Sequence, residues 1–347
     1  MPELFVTNFN RNFTGVSATA ANVIRQQVKT RDLKLVGVPL PGCPDPITVA
    51  QARALTRTGD HDKPFAIWHV RRNTEMRAAL WARDVLRLPL KTVFTSAAQR
   101  RHSAFPRWLI SRMDAVIATT ERAAEFVPHV RAVVPHGVDC DLFAPAPDRA
   151  AAWAELGYGG TMGIATIGRV RPEKGTDLFV DAMIRLLPDL PGAVALVVGR
   201  AGREHQKFLV DLKLRVVEAG LGGRIQFTDE IPAVELPALM RGLSLVMQLP
   251  RYEGYGMVPL EGMASGVPFI GAQAGYYEAF SSQGRSGQVV PVEHWRNAAD
   301  AALALLGDAE RYTAMALAAR EIAETSFGAA TEAAGIEAVY QELWSGR

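Results

Sequence analysis

Short apolar runs recur along this chain, and each gives way to a stretch of helical character. In the first half, LFVTNF (4–9), LKLVGVPL (33–40), PFAIWHV (64–70), KTVFTS (91–96) and DAVIATT (114–120) predict five strands. In the second half, residues 163–168, 193–202, 225–228, 243–249, 267–270 and 287–291 predict six more. The alanine-rich segments 297–306 and 308–326, and FGAATEAAGIEAVYQEL (327–343), predict closing helices. Strands alternating with helices indicate an α/β protein with doubly wound parallel sheets. Ligands of such sheets lie beyond the carboxyl ends of the strands.

Composition sets outer limits. A chain of 347 residues, 48% hydrophobic and 21% charged, is expected to form two soluble domains of ordinary size. No apolar run approaches the roughly 18 residues of a membrane span. The N-terminus lacks a basic segment leading into an apolar core, so no signal peptide is expected. Cys43 and Cys140 sit in no metal-like spacing, and a reducing cytoplasm is the expected compartment.

Charge changes the picture more. Residues 1–143 carry 20 Lys and Arg against 12 Asp and Glu, a net +8; the remainder carries 18 against 24, a net −6. The basic half is expected to meet an anionic partner. Nucleic acid is disfavoured, because no binding motif or aromatic-basic interleaving accompanies the charge. An anionic lipid surface, or an acceptor carrying phosphates and carboxylates, fits better. His69, Arg71, Arg72, Arg100, Arg101 and His102 lie at or just past predicted strand ends and form the candidate acceptor set. Solvated surface residues remain the alternative for each of them.

The stretch RYEGYGMVPLEGMASGVPFIGAQAG (251–275) concentrates the candidate chemistry. Gly254 and Gly256 permit a tight turn, Pro259 suits a first helical turn, and Gly266 suits a helix end. Glu253 is then expected on a loop and Glu261 in the first helical turn, flanking unpaired N–H groups that make an anion cradle. An anion cradle with two carboxylates able to grip hydroxyls is what a nucleotide-sugar requires. Arg169 and Lys174 stand five apart after Gly168 and can face one phosphate group together. The G-x-G-x-x-G of a dinucleotide fold is absent from the first strand–helix loop, which has the single Gly15. Asp139 and Asp141 form a D-x-D, but a linker with no third ligand nearby argues against a metal site.

Glu253, seven residues and Glu261 resemble the E-x7-E signature of the retaining GT-B enzymes of glycosyltransferase family 4. GRVRPEKG (168–175) resembles that family's diphosphate element, and VVPHGVDCDLFAPAP (133–147) its hinge, with His136 in place of the usual Asn. The resemblance implies a GT-B fold, two Rossmann-like domains facing each other across a cleft. Its expected bounds are 1–143 for an acceptor domain, 144–325 for a nucleotide-sugar domain and 326–347 for a helix crossing back to the first. It further implies transfer of a hexose with retained configuration, without a metal or other cofactor. Arg169, Lys174 and Glu253 would act at the reacting centre. Gly15, Gly168, Gly199, Glu230, Ile231, Gly254, Tyr255, Gly256, Met257, Val258 and Glu261 would bind the donor.

The segment after Gly275 departs from the family's G-G loop, reading AGYYEAF, with Glu278 at the acidic position. TVFTSA lacks the family's usual first-domain His, which leaves His69 and His102 as open candidates for its place. HVRRNTEM, FTSAAQRRHS and RYEGYGMVPLEGMASG are similar to mannosyltransferases of lipopolysaccharide core assembly, which implies GDP-mannose, a Kdo-bearing lipid acceptor and attachment to the cytoplasmic face of the inner membrane. A UDP-hexose donor, a GT-B sugar-nucleotide epimerase and a non-catalytic envelope scaffold are the alternatives.

Overall fold

Every residue of the first strand is buried, as a continuous apolar run covered by helices on both faces of a parallel sheet must be. That pattern repeats through the structure, a computed structural model that describes residues 2–12, 14–58 and 63–346. In chain order the first elements are β1 (Leu4–Asn8), α1 (Gly15–Gln27), β2 (Leu33–Gly37), α2 (Val49–Thr58), β3 (Ala66–Val70), α3 (Asn73–Leu80), β4 (Leu90–Ser96), α4 (Ala104–Ser111), β5 (Ala115–Ala118), α5 (Glu121–Ala124) and β6 (Val130–Val133). There follow α6 (Arg149–Glu155), β7 (Met162–Ile167), α7 (Thr176–Leu186), β8 (Ala193–Val198), α8 (Gln206–Glu218), β9 (Ile225–Asp229), α9 (Leu236–Gly242) and β10 (Leu243–Gln248). The chain ends with α10 (Met257–Ala264), β11 (Phe269–Ala272), α11 (Tyr277–Ser281), β12 (Gly287–Val290), α12 (Trp295–Leu306), α13 (Ala309–Ser326) and α14 (Ala329–Trp344).

Two units result, Met1–Gly137 with Phe327–Arg347 and Val138–Ser326. The first holds a six-stranded parallel sheet in the order β2-β1-β3-β4-β5-β6. Its core has one layer under α1 and α14 (Val23, Ile24, Ile336, Tyr340) and another under α3 and α4 (Met76, Ala79, Leu109, Ile110). The last helix is therefore part of the first unit's core. Its Glu332 carboxylate accepts from the Gly137 N–H and His136 Nδ1, both at 2.7 Å, which fixes the chain where it leaves this unit.

The second unit holds a parallel sheet in the order β12-β11-β10-β7-β8-β9. Its core is built from β7, β8 and β10 against α7 and α12, with Phe179, Met183, Leu245 and Met247 fully buried. The D-x-D marks its beginning: Asp139 Oδ1 accepts from the N–H groups of Asp141 and Leu142, so this carboxylate caps a turn. Two sequence expectations shift. The strand predicted over 267–270 forms at Phe269–Ala272, because Gly266, at φ 66°, must first reverse the chain after α10. The half-exposed β6 was missed, its alternating burial being too short to read.

Candidate active site

Read from β9, the second sheet runs β9-β8-β7-β10-β11-β12, so the winding reverses between β7 and β10. Parallel sheets bind ligands in the crevice at that reversal. The β7 loop carries Gly168, Arg169 and Lys174, and the β10 loop carries Glu253 to Gly256 and leads into α10 at Met257 and Val258. Sequence-distant candidates are thus delivered to one place by topology. A small cleft there is lined by Thr166, Gly168, Arg169, Lys174, Thr176 and Gln248.

Arg251 staples the two loops. Its guanidinium grips Asp177 with two bonds of 2.9 and 2.8 Å, donates to the Pro172 carbonyl at 2.6 Å and reaches Glu293 at 2.9 Å. A fork held this way is among the stronger surface-region pairs, since both partners are fixed in orientation. Gly175 makes the approach possible: its φ is 66°, and a Cβ there would stand 1.8 Å from the Leu249 carbonyl oxygen. Across the stapled loops, Lys174 Nζ meets Glu253 Oε2 at 2.5 Å, and Glu253 Oε1 accepts from the Gly254 N–H at 3.0 Å. Arg169 is exposed beside them, Lys174 half-buried.

The β10 loop enters α10 through Gly256, at φ 96°, where a Cβ would collide with the Tyr277 ring at 2.2 Å. Gly256 offers no side-chain cap, so the N–H groups of Met257 and Val258 open the helix uncapped. Such a helix start attracts an anion. Glu261 is the fifth residue of α10, one position beyond the first turn expected for it. It is buried, at 8% exposure. Burial alone pushes that carboxyl up to about 7.

Other donor-side candidates divide. Tyr255 is buried, stacked on Tyr276 at 5.4 Å and edge-on to Phe280 at 5.3 Å, so its ring packs the loop and is not offered to a ligand. Gly199 answers a packing need as well: at φ 140°, its Cβ would lie 1.9 Å from the Gly168 carbonyl oxygen. Glu230 is exposed and Ile231 half-exposed just past β9, with Glu230 3.8 Å from Arg200.

In the first unit the winding reverses between β1 and β3. Here the structure corrects the acceptor set. His69 lies inside β3, fully buried, with Nδ1 bonded to Tyr340 and Nε2 to Thr95 at 2.7 Å. Burial first, then the nearby Arg71, holds its pKa well below the usual range, so it is a neutral core histidine with both ring nitrogens occupied. Arg72 is not available as a fork for substrate. It bonds Asn8 and Glu75 with Nη1, at 3.0 and 3.1 Å, and Thr14 and Ser17 with Nη2, at 3.2 and 3.0 Å. The start of α1, with Gly15 at its first position, is thereby tied to the end of β3. Gly15 itself has open space around it and ordinary backbone angles.

Arg71 is different. Its guanidinium is buried with none of its three nitrogens hydrogen-bonded among the described residues, and that burial lowers its pKa. Arg100 and Arg101 are exposed on the loop after β4, and His102 beside them is half-buried with its pKa lowered by burial and then by Arg100.

Sequence reasoning missed three working residues. Glu75 is fully buried and accepts from the backbone N–H groups of Arg71, Arg72 and Phe9, from the Thr7 hydroxyl and from Arg72 Nη1. Thr166 and Gln248 line the second-unit cleft, and Gln248 also donates to the Ile167 carbonyl at 3.2 Å. Only the position of Gln248 at the end of an otherwise apolar strand hinted at its role.

Comparison with known proteins agrees with this geometry. Residues 158–322 match the model for glycosyl transferases group 1. The lipopolysaccharide core biosynthesis mannosyltransferase LpsB of Rhizobium meliloti is 38% identical over 98% of this chain and 97% of its own length. The C-terminal domain of the group 1 family protein LpcC from Francisella tularensis superposes with a TM-score of 0.54 and 30% identity, covering 55% of this chain and 99% of that one. Anabaena HepE, solved with UDP and glucose, shares the fold over 99% of this chain and 100% of its own, with a TM-score of 0.82 at 16% identity. Two reversing parallel sheets, a stapled cationic loop at the reversal of the second and a relative matched along its whole length place this chain in the group 1 glycosyl transferases, as a glycosyltransferase of GT-B fold.

Proposed function

We propose that this glycosyltransferase moves mannose from GDP-mannose, with retained configuration, onto an anionic lipid-borne saccharide such as the Kdo region of a lipopolysaccharide core, at a cytoplasmic membrane surface. The observation that carries the donor side is the junction of Arg169, Lys174 and the uncapped start of α10 at the sheet's reversal. The difficult event in the reaction is departure of a nucleoside diphosphate, whose charge grows as the glycosidic bond breaks. Arg169, the N–H groups of Met257 and Val258, and Lys174 once it turns from Glu253 would meet that charge, the kind of stabilisation that lowers barriers most effectively. On this reading no metal is required for the leaving group. Glu261 grips the ribose hydroxyls and Glu253 a hydroxyl of the sugar, and no protein nucleophile is assigned.

The choice of mannose and of a Kdo-bearing acceptor is supported by the likeness to LpsB, a lipopolysaccharide core mannosyltransferase by name. The net +8 of residues 1–143 and the unpaired Arg71 guanidinium support an anionic acceptor. Among the described residues no helix is long and apolar enough to cross a membrane. Calorimetric titration with GDP, UDP and ADP in EDTA tests the donor side. GDP is expected to bind most tightly. Preference for UDP overturns the mannose assignment, and failure of all three overturns the metal-free cradle.

A further inference from the structure

Much of the basic excess of the first unit falls in one stretch of chain. Residues 76–114 contain eight Lys and Arg and two acids, a net +6, and both acids, Asp84 and Asp114, are already held by Arg83 at 2.7 and 2.6 Å. The same segment carries four large apolar side chains that are more than half exposed: Trp81 at 51%, Val85 at 54%, Phe105 at 52% and Trp108 at 56%.

These four form a patch. α3 runs on as a π-helical turn, Trp81–Val85, closed by the Leu86 N–H on the Trp81 carbonyl at 3.1 Å. That turn lies beside the end of α4: Arg83 donates to the Arg112 carbonyl at 2.9 Å, and Arg112 stands 3.7 Å from Asp84. α3 and α4 follow neighbouring parallel strands and so run in the same direction. Trp81 precedes Asp84 by three residues and Trp108 precedes Arg112 by four, which puts both indoles about one turn before the helix–helix junction. Phe105 extends the patch, stacked on Trp108 with ring centroids 6.2 Å apart. The inner faces of both helices are spent on the core, through Met76, Ala79, Leu109 and Ile110. Exposed Arg77, Arg101 and Arg112 surround the outer face.

We propose that this outer face of α3, its π-turn and α4 is a docking surface for an anionic bilayer, with Trp81, Phe105 and Trp108 entering the headgroup region and the arginines meeting lipid phosphates. It deepens the lipid-borne acceptor reading above and rests on it. Tryptophan beside arginine suits a membrane interface, where one side of the residue set is apolar and the other wet. A second copy of this chain is a poor occupant, since it would set one arginine-bearing face against another.

The test uses sedimentation with vesicles that contain no acceptor, either phosphatidylcholine alone or with about 30 mol% phosphatidylglycerol, an anionic surface of ordinary strength. The wild-type chain should partition onto the anionic vesicles at least about tenfold better than onto the neutral ones, and release in high salt. Trp81→Ser with Trp108→Ser, at exposed positions, should lower that partitioning about tenfold, and Arg77→Glu with Arg112→Glu by a similar factor. Equal binding to both vesicle types overturns the proposal, as does undiminished binding by the double Trp variant. Concentration-dependent self-association lost in that variant, without vesicle binding, assigns the face to a second copy and also overturns it. Nucleotide binding in the same samples reports the donor site separately. Vesicle binding without turnover of any lipid acceptor leaves the docking surface standing and removes the acceptor reading.

Discussion

Replacing Glu261 by Gln takes a titrating charge out of the interior of α10 and keeps the side chain's size. Burial pushes that carboxyl from 4.5 up to about 7, so between those pH values the folded chain holds a proton that the unfolded chain has released. For this group, stability is greatest below the unfolded value and falls as pH rises through the window. At 1.36 kcal/mol for each pH unit of displacement, about 3 kcal/mol is lost above pH 7, of which about 2.5 kcal/mol disappears between pH 5 and pH 8. A buried Gln amide has its own cost of about 1–3 kcal/mol, but that cost is the same at every pH.

Urea unfolding of both proteins at pH 5 and pH 8 therefore isolates the charge. The stability of Glu261→Gln relative to wild type should rise by about 2.5 kcal/mol across that range. Donor binding should move oppositely. Hydroxyls bonded to a carboxylate favour its charged form, so wild-type affinity for the nucleotide-sugar should climb as pH rises towards 7 and then level. In the variant, affinity should be lower by about tenfold, the loss of one charge-assisted bond, and flat in pH. A stability difference that does not change with pH would refute the assignment of a carboxyl raised by burial.

Lys174→Ala and Arg169→Ala should each lower turnover on the order of 10²-fold, measured as sugar transferred per enzyme, with the nucleotide-sugar saturating. Glu75→Ala should destabilise the first unit by about 3–5 kcal/mol, read by denaturant unfolding, because it leaves Arg72 and three backbone N–H groups without their acceptor. Arg71→Met should raise the KM for the lipid acceptor, leave the nucleotide Kd unchanged and keep or raise the thermal midpoint, since it removes an unpaired buried charge. Collapse of nucleotide binding in that variant would assign Arg71 to the donor.

The strands and the donor loop were legible because their signals are local. Apolar runs mark parallel strands, and Gly256 and Gly266 occupy left-handed angles that other residues avoid, so glycine there announces the turn before α10 and the stop after it. The first unit was less legible. A histidine or arginine at a strand end looks the same in sequence whether it faces solvent or the core. His69 was settled by Tyr340, some 270 positions away, and Arg72 by Asn8, Thr14 and Ser17. Glu75 carried no motif at all. Its role depends on five donors, from β1, the residue after it and the two residues between β3 and α3, converging on one carboxylate, which only the sheet's order brings about. Arg251 is the same case in the second unit.

That convergence also explains why Lys174 and Glu253 face each other before any donor arrives. A lysine placed alone for a diphosphate would pay an electrostatic cost beside Arg169, and a glutamate placed alone would be repelled by the incoming phosphates. Paired at 2.5 Å across loops stapled by Arg251, each holds the other in position and neither is sealed, since both side chains stay partly exposed. On the proposed reading, donor arrival exchanges partners: Lys174 turns to phosphate and Glu253 to a sugar hydroxyl. The local charge balance of the two side chains is kept through the exchange, and the main new requirement is a short rotation of each. This predicts that Glu253→Gln impairs turnover more than it impairs nucleotide binding. The variant frees Lys174 for the diphosphate, which GDP alone can exploit, but it removes the acceptor that holds the transferred sugar. Equal losses in GDP affinity and in turnover would mean that Glu253 serves only to position Lys174, and the exchange would not be part of the reaction.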